Sequence, residues 1–201
     1  WKPINKLHAK NILGIAPNKK VVLFGAIGGT KDTRKGAHIL IEALNILRDS
    51  YFENIENKIQ ILVFGEERNK NIINNLPIKF LGSFSDDLSL RVVYSAADVM
   101  VVPSIQEAFG QTASEAHACA TPVAAFKIGG LIDIVSQKET GYLADPYDPQ
   151  SLAYGINWIL EDEERNKKLS SQARLKAKKY WDSRIIAKKY IDAYRSALSI
   201  Y

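Results

Sequence analysis

The sequence contains few of the residues that form disulfides or bind metal ions. Its single cysteine, Cys119, excludes a disulfide within the chain and is expected to be a buried core thiol. The three histidines, His8, His38 and His117, are scattered, and no H-E-x-x-H motif or Cys/His cluster is present. We therefore expect no metal site. A G-x-S-x-G nucleophile elbow is also absent, which argues against an α/β-hydrolase.

Long hydrophobic runs are absent too. No apolar stretch approaches the roughly 20 residues that cross a bilayer, and Trp1-Lys2-Pro3 is neither a signal peptide nor a start methionine. We expect a cytoplasmic chain whose sequence begins mid-protein. Its 201 residues, 46% hydrophobic and 24% charged, suit one domain with a full core.

The positive charge is unevenly distributed. The net charge is +5, yet 165–189 holds ten Lys and Arg against a single acid, Asp182. A basic helical tail can touch an anionic membrane surface, although a solvated helix face is the more common explanation. Nucleic acid is not an expected partner, because no aromatic interleaving or recognition motif accompanies these charges.

Short apolar runs alternate with helical patterns along the chain, which predicts an α/β fold with a doubly wound, Rossmann-like parallel sheet. Ligands of such folds bind beyond the carboxyl ends of the strands. The predicted strands cover 20–26, 58–65, 78–82, 98–102, 122–126 and 141–144, and the predicted helices 6–13, 34–48, 86–97, 111–120, 129–135, 149–160, 163–180 and 183–199.

The most informative segment is 103–116, which carries two glutamates separated by seven residues. Glu107 follows a buried strand, Gly110 breaks the pattern, and Glu115 lies inside the next helix. The free N–H groups of a helix N-terminus favour an anion, and carboxylates on either side can accept hydrogen bonds from hydroxyls. A nucleotide-sugar carries hydroxyls on both flanks of a diphosphate. For Glu115 alone, an exposed helical glutamate is the simpler explanation.

A second segment suits a diphosphate. Gly28 and Gly29 lie in a loop that leads to Arg34 and Lys35 at a predicted helix start, where two cations stand beside free N–H groups. The segment matches neither G-x-G-x-x-G nor a P-loop. A flexible surface turn with solvated basic side chains is the alternative.

Together these residues resemble the C-terminal, donor-binding domain of the group 1, or family 4, retaining glycosyltransferases with the GT-B fold. The similarity covers about 13–160. The matching segments are Arg34-Lys35-Gly36, Phe80-Leu81-Gly82, Tyr94-Ser95-Ala96-Ala97-Asp98, Pro103-Ser104, Glu107-Ala108-Phe109-Gly110, Glu115-Ala116, Pro122-Val123, Gly129-Gly130 and Gly141-Tyr142.

The resemblance implies retaining transfer of a sugar from a nucleotide-diphosphate donor, with Glu107 and Lys35 as the catalytic residues. Glu107 would contact the sugar hydroxyls, Glu115 the ribose hydroxyls and Lys35 the diphosphate. The implied donor-binding set is Gly28, Gly29, Arg34, Lys35, Gly82, Ser83, Glu107, Ala108, Phe109, Gly110, Gln111 and Glu115. No cofactor or metal is implied.

The resemblance also implies a domain plan and further partners. An interdomain linker would span 1–19, the nucleotide-sugar domain 20–160, and helices packing toward an N-terminal half 161–201. That half, outside this sequence, would bind the acceptor, a glycan or lipid-linked glycan of polysaccharide, lipopolysaccharide or glycoconjugate synthesis. Ala26 stands where many relatives carry arginine. A non-catalytic nucleotide-sugar-binding domain is therefore one alternative, and a different GT-B-like enzyme, such as a sugar-nucleotide epimerase, is another.

Overall fold

The computed structural model describes residues 1–25, 32–66 and 76–198. Within these ranges, six parallel strands form one sheet in the order β3-β2-β1-β4-β5-β6, with helices on both faces. The predicted α/β, doubly wound, Rossmann-like architecture is confirmed. The strands are β1 (Lys20–Gly25), β2 (Ile59–Phe64), β3 (Ile78–Phe80), β4 (Val99–Val102), β5 (Val123–Phe126) and β6 (Gly141–Ala144).

The central strands are apolar on both faces because helices cover both faces. Every residue of β4 and β5 is buried. One core cluster joins the sheet to α2 (Ala37–Tyr51) and α7 (Pro149–Leu160), and another joins it to the helices of the opposite layer. Those helices are α4 (Asp87–Ala96), α5 (Gln111–Ala118) and α6 (Leu131–Ile134), and the remaining ones are α1 (Lys6–Ile12), α3 (Ile55–Lys58), α8 (Glu163–Trp181) and α9 (Ser183–Leu198).

The helix predicted over 34–48 starts three residues late. Thr33–Lys35 forms a separate 3₁₀ turn, and Gly36 follows with a φ of 69°, in the left-handed region that glycine adopts without steric cost. The α-helix therefore begins at Ala37. The short helix α3 was not predicted from the sequence. Asp86 caps α4, because its carboxylate accepts the N–H of Ser89 at 2.8 Å.

The strand order places a switch point at the centre of the sheet. From β1 the chain continues to β2 on one side, whereas β4 pairs with β1 on the other side. Helices after these strands therefore diverge to opposite faces, and a crevice opens beyond the carboxyl ends of β1 and β4. The loops that lead to α2 and α5 border this crevice.

The segment before β1 packs on the domain through a buried acid. Asp98, directly before β4, accepts Lys6 Nζ at 2.8 Å, Lys10 Nζ at 3.0 Å and the N–H of Val21 at 2.8 Å. Burial alone would raise the pKa of Asp98, but the two ammonium groups outweigh it and lower the pKa below its usual value. The carboxylate thus binds α1 to the amino end of the sheet.

The last two helices differ in their packing. The buried Leu169, Ala173 and Ala177 of α8 face the domain, and this helix contacts α5 and α7. Within its described residues, α9 buries no side chain and contacts α8. No helix in the described ranges is long and apolar enough to cross a membrane. The division into 1–19, 20–160 and 161–201 stays a prediction.

Replacing Asp98 with asparagine should lower the free energy of unfolding by about 3 kcal/mol, because it leaves Lys10 buried without its counter-charge. Urea unfolding at pH 7 measures this effect. Since the folded-state pKa is depressed, the stabilisation exists above the unfolded aspartate pKa of about 4 and is lost as the pH falls through the folded value. D98N should therefore flatten the acid limb of the stability profile.

The matched control is D192N on the exposed α9, which should change neither quantity measurably. Equal stability of D98N and the unchanged protein at pH 7 would contradict the role assigned to the Asp98 carboxylate.

Candidate functional site

Two backbone contacts clamp the loop after β4, residues 103–110, to the loop that precedes α2. The N–H of Ile105 donates to the carbonyl of Arg34 at 2.7 Å. A Cβ atom on Gly36 would lie 1.8 Å from the carbonyl oxygen of Pro103, so only glycine fits there. The close approach brings the Thr33–Lys35 turn against the end of β4.

The other flank of the same loop contacts residues 127–130, which follow β5. The N–H of Gly130 donates to the carbonyl of Glu107 at 3.2 Å, and a Cβ on Gly129 would lie 2.0 Å from that oxygen. The Gly130 N–H is therefore used within the protein, and the two glycines let the two loops approach closely.

Glu107 forms an ion pair with Lys35. Its Oε2 accepts Lys35 Nζ at 2.9 Å and the hydroxyl of Ser104 at 3.2 Å. The Lys35 and Glu107 side chains are 28% and 15% exposed, so both keep access to solvent and to a ligand. The other oxygen, Oε1, accepts no hydrogen bond from any side chain among those recorded for the described residues.

Glu115 is held by two neutral donors. The hydroxyl of Tyr94 donates to Oε2 at 2.9 Å, and the amide of Gln111 donates to Oε1 at 3.0 Å. Burial raises the pKa of Glu115 above its usual value, although both hydrogen bonds act in the opposite direction. This carboxylate has no ion-pair partner within the described ranges.

Both glutamates line one cavity of about 570 Å³ beyond the carboxyl ends of the central strands, which we call the switch-point cleft. Glu107 and Glu115 therefore line the same crevice, which the hypothesis of a bound nucleotide-sugar requires. The lining consists of Phe24, Gly25, Lys35, Phe64, Gly65, Ser83, Phe84, Leu90, Tyr94, Val101, Val102, Pro103, Ser104, Glu107, Gln111, Thr112 and Glu115.

The helix α5 points its N-terminus at this cleft. Gly110 precedes the helix with a φ of 93°. The first N–H groups of a helix have no intrahelical acceptor, and together with the macrodipole they favour an anion. Gln111 and Thr112, the first two helical residues, are both in the lining. The cleft can thus accept hydroxyls at two carboxylates and stabilise negative charge between them.

Five of the predicted residues line the cleft: Lys35, Ser83, Glu107, Gln111 and Glu115. Arg34 does not. Its guanidinium lies on Asp32, with nitrogen–oxygen distances of 3.1 and 2.9 Å, and its side chain is 69% exposed. The expected pair of cations is therefore separated: of these two residues, Lys35 lines the cleft and Arg34 does not.

Four further predicted residues, Gly82, Ala108, Phe109 and Gly110, lie in the surrounding loops but not in the lining. The Phe109 ring packs instead edge-on near Trp181, with centroids 6.5 Å apart. Gly28 and Gly29, together with Ala26, lie outside the described residues.

Sequence reasoning missed the aromatic walls of the cleft. Phe24 is the last residue but one of β1 and Phe64 the last of β2, positions where an aromatic side chain is typical of the core. The Phe64 ring fills the space of a side chain at Gly25, since a Cβ there would lie 2.2 Å from the ring. Tyr94 was noted only within a motif, and its contact with Glu115 had no sequence signal beyond that.

No group of three or more His, Cys, Asp or Glu that could hold a metal ion occurs within residues 1–25, 32–66 and 76–198. That no metal or cofactor takes part stays a prediction.

The family of glycosyl transferases group 1 matches residues 6–176 of the chain. A D-inositol 3-phosphate glycosyltransferase of Corynebacterium urealyticum is 32% identical over 94% of the chain and 46% of its own length. The sucrose-phosphate synthase of Thermosynechococcus elongatus superposes with a TM-score of 0.83 at 29% identity, covering 100% of this chain and 50% of that one.

Anabaena HepE, solved with UDP and glucose, superposes with a TM-score of 0.76 at 25% identity, covering 94% of this chain and 51% of HepE. The chain thus spans about half the length of the proteins it matches. The family match covers most of its residues, and its sheet is the one found in GT-B glycosyltransferases. The chain belongs to the group 1 glycosyl transferases.

Proposed function

We propose that the switch-point cleft binds a nucleotide-diphosphate sugar and that the chain is the donor-binding domain of a retaining glycosyltransferase. The observation that carries this proposal is the placement of Glu107 and Glu115 on one cleft, on either side of the N-terminus of α5. Two hydroxyl acceptors that flank an anion-stabilising helix end fit a ligand with a sugar at each end of a diphosphate.

Different residues of the cleft bind different parts of the donor. Glu115 accepts the ribose hydroxyls and Glu107 the hydroxyls of the transferred sugar. The diphosphate lies over Gln111 and Thr112, within reach of Lys35. Because Lys35 already pairs with Glu107 at 2.9 Å, the incoming diphosphate shares or takes over this cation and frees an oxygen of Glu107 for the sugar.

The chemical demand on the site is to stabilise the leaving diphosphate. As the bond from the anomeric carbon to the phosphate oxygen breaks, negative charge grows on that oxygen. Lys35 and the amides of α5 are fixed in place to meet that charge. The acceptor oxygen forms the new bond on the same face, and the leaving phosphate takes its proton. This route needs no protein nucleophile.

Names of related proteins support parts of this scheme. HepE has been solved with UDP, with UDP and glucose, and with UDP-glucose. Several relatives are D-inositol 3-phosphate glycosyltransferases. We propose that the acceptor is a glycan or lipid-linked glycan of polysaccharide, lipopolysaccharide or glycoconjugate synthesis. It would bind at a part of the protein beyond this chain.

We also propose that the basic surface of α8 and α9 faces an anionic membrane. Exposed cations along these helices support this, among them Lys178, Lys179, Arg184, Lys188 and Lys189. On α9 the rings of Tyr190 and Tyr194 are exposed as well. Amphipathic helices with cationic and aromatic side chains suit the bilayer interface. Sedimentation with anionic, but not neutral, vesicles tests this contact.

Calorimetric titration with UDP, GDP and their sugars tests the donor proposal. The chain is expected to bind one nucleoside diphosphate and its sugar but to transfer little, since the acceptor would bind elsewhere. Binding by none of these ligands would contradict the proposal. Binding without turnover in the protein of full length would instead indicate a non-catalytic nucleotide-sugar domain.

Replacing Lys35 with methionine keeps the aliphatic stem but removes the cation and leaves Glu107 unpaired. We expect the affinity for the nucleoside diphosphate to fall at least tenfold, about the loss of one charge-assisted contact. In the protein of full length the barrier to transfer should rise by about 2–4 kcal/mol. Titration calorimetry and initial rates measure the two effects.

Lys58→Met is the control, because Lys58 ends α3 just before the amino end of β2, whereas the cleft lies beyond the carboxyl ends, and should leave both quantities unchanged. Adding Glu107→Gln to Lys35→Met should recover part of the lost diphosphate affinity by removing an unpaired negative charge. Unchanged diphosphate affinity in Lys35→Met would refute the assigned role.

Replacing Gly130 with alanine should displace the loop that carries Glu107. The added Cβ would lie 2.4 Å from the carbonyl oxygen of Ala108, a backbone atom that cannot rotate away. Affinity for the nucleotide-sugar should therefore fall about tenfold or more, along with a stability loss of about 1–3 kcal/mol from overpacking. Titration calorimetry measures the affinity, and thermal unfolding measures the stability.

Gly155→Ala provides the comparison. Its Cβ would meet the Tyr142 side chain at 2.4 Å, far from the cleft, so it should lower stability without changing donor affinity. An equal loss of affinity in both variants would show that destabilisation alone, and not loop position, governs binding.

A further inference from the structure

Tyr94 is a fully buried residue in the lining of the switch-point cleft. It lies in the last turn of α4 with no exposed surface, and its hydroxyl reaches Glu115 Oε2 at 2.9 Å. Its backbone is anchored as well, because Thr121 Oγ1 donates to the Tyr94 carbonyl at 2.6 Å. The main chain that carries the Tyr94 side chain is therefore held in place.

Two aromatic neighbours hold the Tyr94 ring in place. Phe64 and Trp1 meet it nearly edge-on, at centroid distances of 5.6 and 5.7 Å and interplanar angles of 83° and 78°. Edge-to-face pairs at such distances are favourable. Phe64 is itself confined, because its ring occupies the space beside Gly25. The ring of Tyr94 thus cannot turn away without moving its neighbours.

Glu115 has no comparable constraint of its own. Its side chain has three rotatable bonds, and its other hydrogen-bond donor, Gln111, is an exposed residue at the first position of α5. Such a surface side chain exchanges rotamers readily. Of the two donors to the carboxylate, the buried hydroxyl of Tyr94 is the one that defines its orientation.

The hydrogen-bond capacity of Glu115 fits two incoming hydroxyls. An ionised carboxylate offers about four acceptor positions. Tyr94 uses one on Oε2 and Gln111 one on Oε1. One position then remains on each oxygen, which suits the two adjacent hydroxyls of a ribose and is in excess for a single hydroxyl.

We propose that Tyr94 is a positioning residue of the donor site, whose hydroxyl orients the Glu115 carboxylate so that both of its oxygens accept from the vicinal ribose hydroxyls. This inference rests on the proposed function of the cleft. It makes selection of ribose over 2′-deoxyribose depend on a residue that does not itself contact the hydroxyls.

The test is Tyr94→Phe, which removes one oxygen and keeps the ring against Phe64 and Trp1. The readout is the ratio of the dissociation constants for 2′-deoxy-UDP and UDP, or for the GDP pair if the chain prefers guanine. We expect a ratio of about ten in the unchanged protein, the loss of one hydrogen bond to a charged acceptor, and about two to three in Tyr94→Phe.

Two further variants calibrate this ratio. Glu115→Ala removes the acceptor and should bring it to about one. Tyr154→Phe removes a hydroxyl from an exposed tyrosine of α7, outside the lining of the cleft, and should leave it unchanged. A purely structural role of Tyr94 would weaken both nucleotides equally and preserve the ratio.

The outcomes separate this inference from the function beneath it. No binding of any nucleoside diphosphate by the unchanged protein overturns both. Binding with an undiminished ratio in Tyr94→Phe overturns the positioning role alone. A ratio near one in the unchanged protein overturns ribose recognition by Glu115, while nucleotide binding stands.

Should Tyr94→Phe fail to fold, a crystal structure of the unchanged protein with UDP decides the question. The Tyr94 hydroxyl is expected within hydrogen-bond distance of Glu115 while both carboxylate oxygens contact the ribose. A complex in which that contact is broken overturns the proposal.

Discussion

The site depends on how tightly the loop after β4 is held between its two neighbours. Carbonyl oxygens of this loop lie against Gly36 on one side and Gly129 on the other, at positions where a Cβ would come within 2.0 Å. The contacts are made by backbone atoms, so the loop is fixed without using its side chains. Ser104 and Glu107 are thereby left facing the cleft, where they can serve a ligand.

The hydrogen-bond and ion-pair partners of three acids distinguish one with a structural role from two at the candidate site. Asp98 precedes β4 and meets two lysines and a backbone N–H, which leaves little capacity for anything else. Glu107 follows the same strand and has one lysine and one hydroxyl. Glu115 has two neutral donors and is partly desolvated, so its charge is the least compensated of the three. Charge that is incompletely compensated at a cleft is typical of a binding site.

The sequence predicted the order of the six strands and of all the helices but α3, because the strands are short, mostly apolar runs and the longer helices repeat apolar residues every three or four positions. It also placed Glu107 and Glu115 on neighbouring elements, since Gly110 marks where the loop gives way to the helix. These predictions depend on local signals, which a single sequence contains in full.

The remaining features depend on contacts between distant residues. Arg34 and Lys35 are adjacent and both cationic, yet their side chains point apart in the 3₁₀ turn, one to Asp32 and the other to Glu107. The turn ends at Gly36, which has a left-handed conformation and lies against the Pro103 carbonyl of another loop. Likewise, Tyr94 is 21 residues from Glu115, and no periodicity connects them.

Glu115 also borders a second cavity, of about 470 Å³, and therefore lies between the switch-point cleft and this cavity. Trp1 lines this cavity together with Trp181 and Asp182 at the junction of α8 and α9. Trp1 contacts the Tyr94 ring, and Arg174 of α8 donates to the Trp1 carbonyl at 3.1 Å. A shift of the first residues relative to α8 would therefore change the packing around Tyr94, and through Tyr94 the carboxylate that we assign to the ribose.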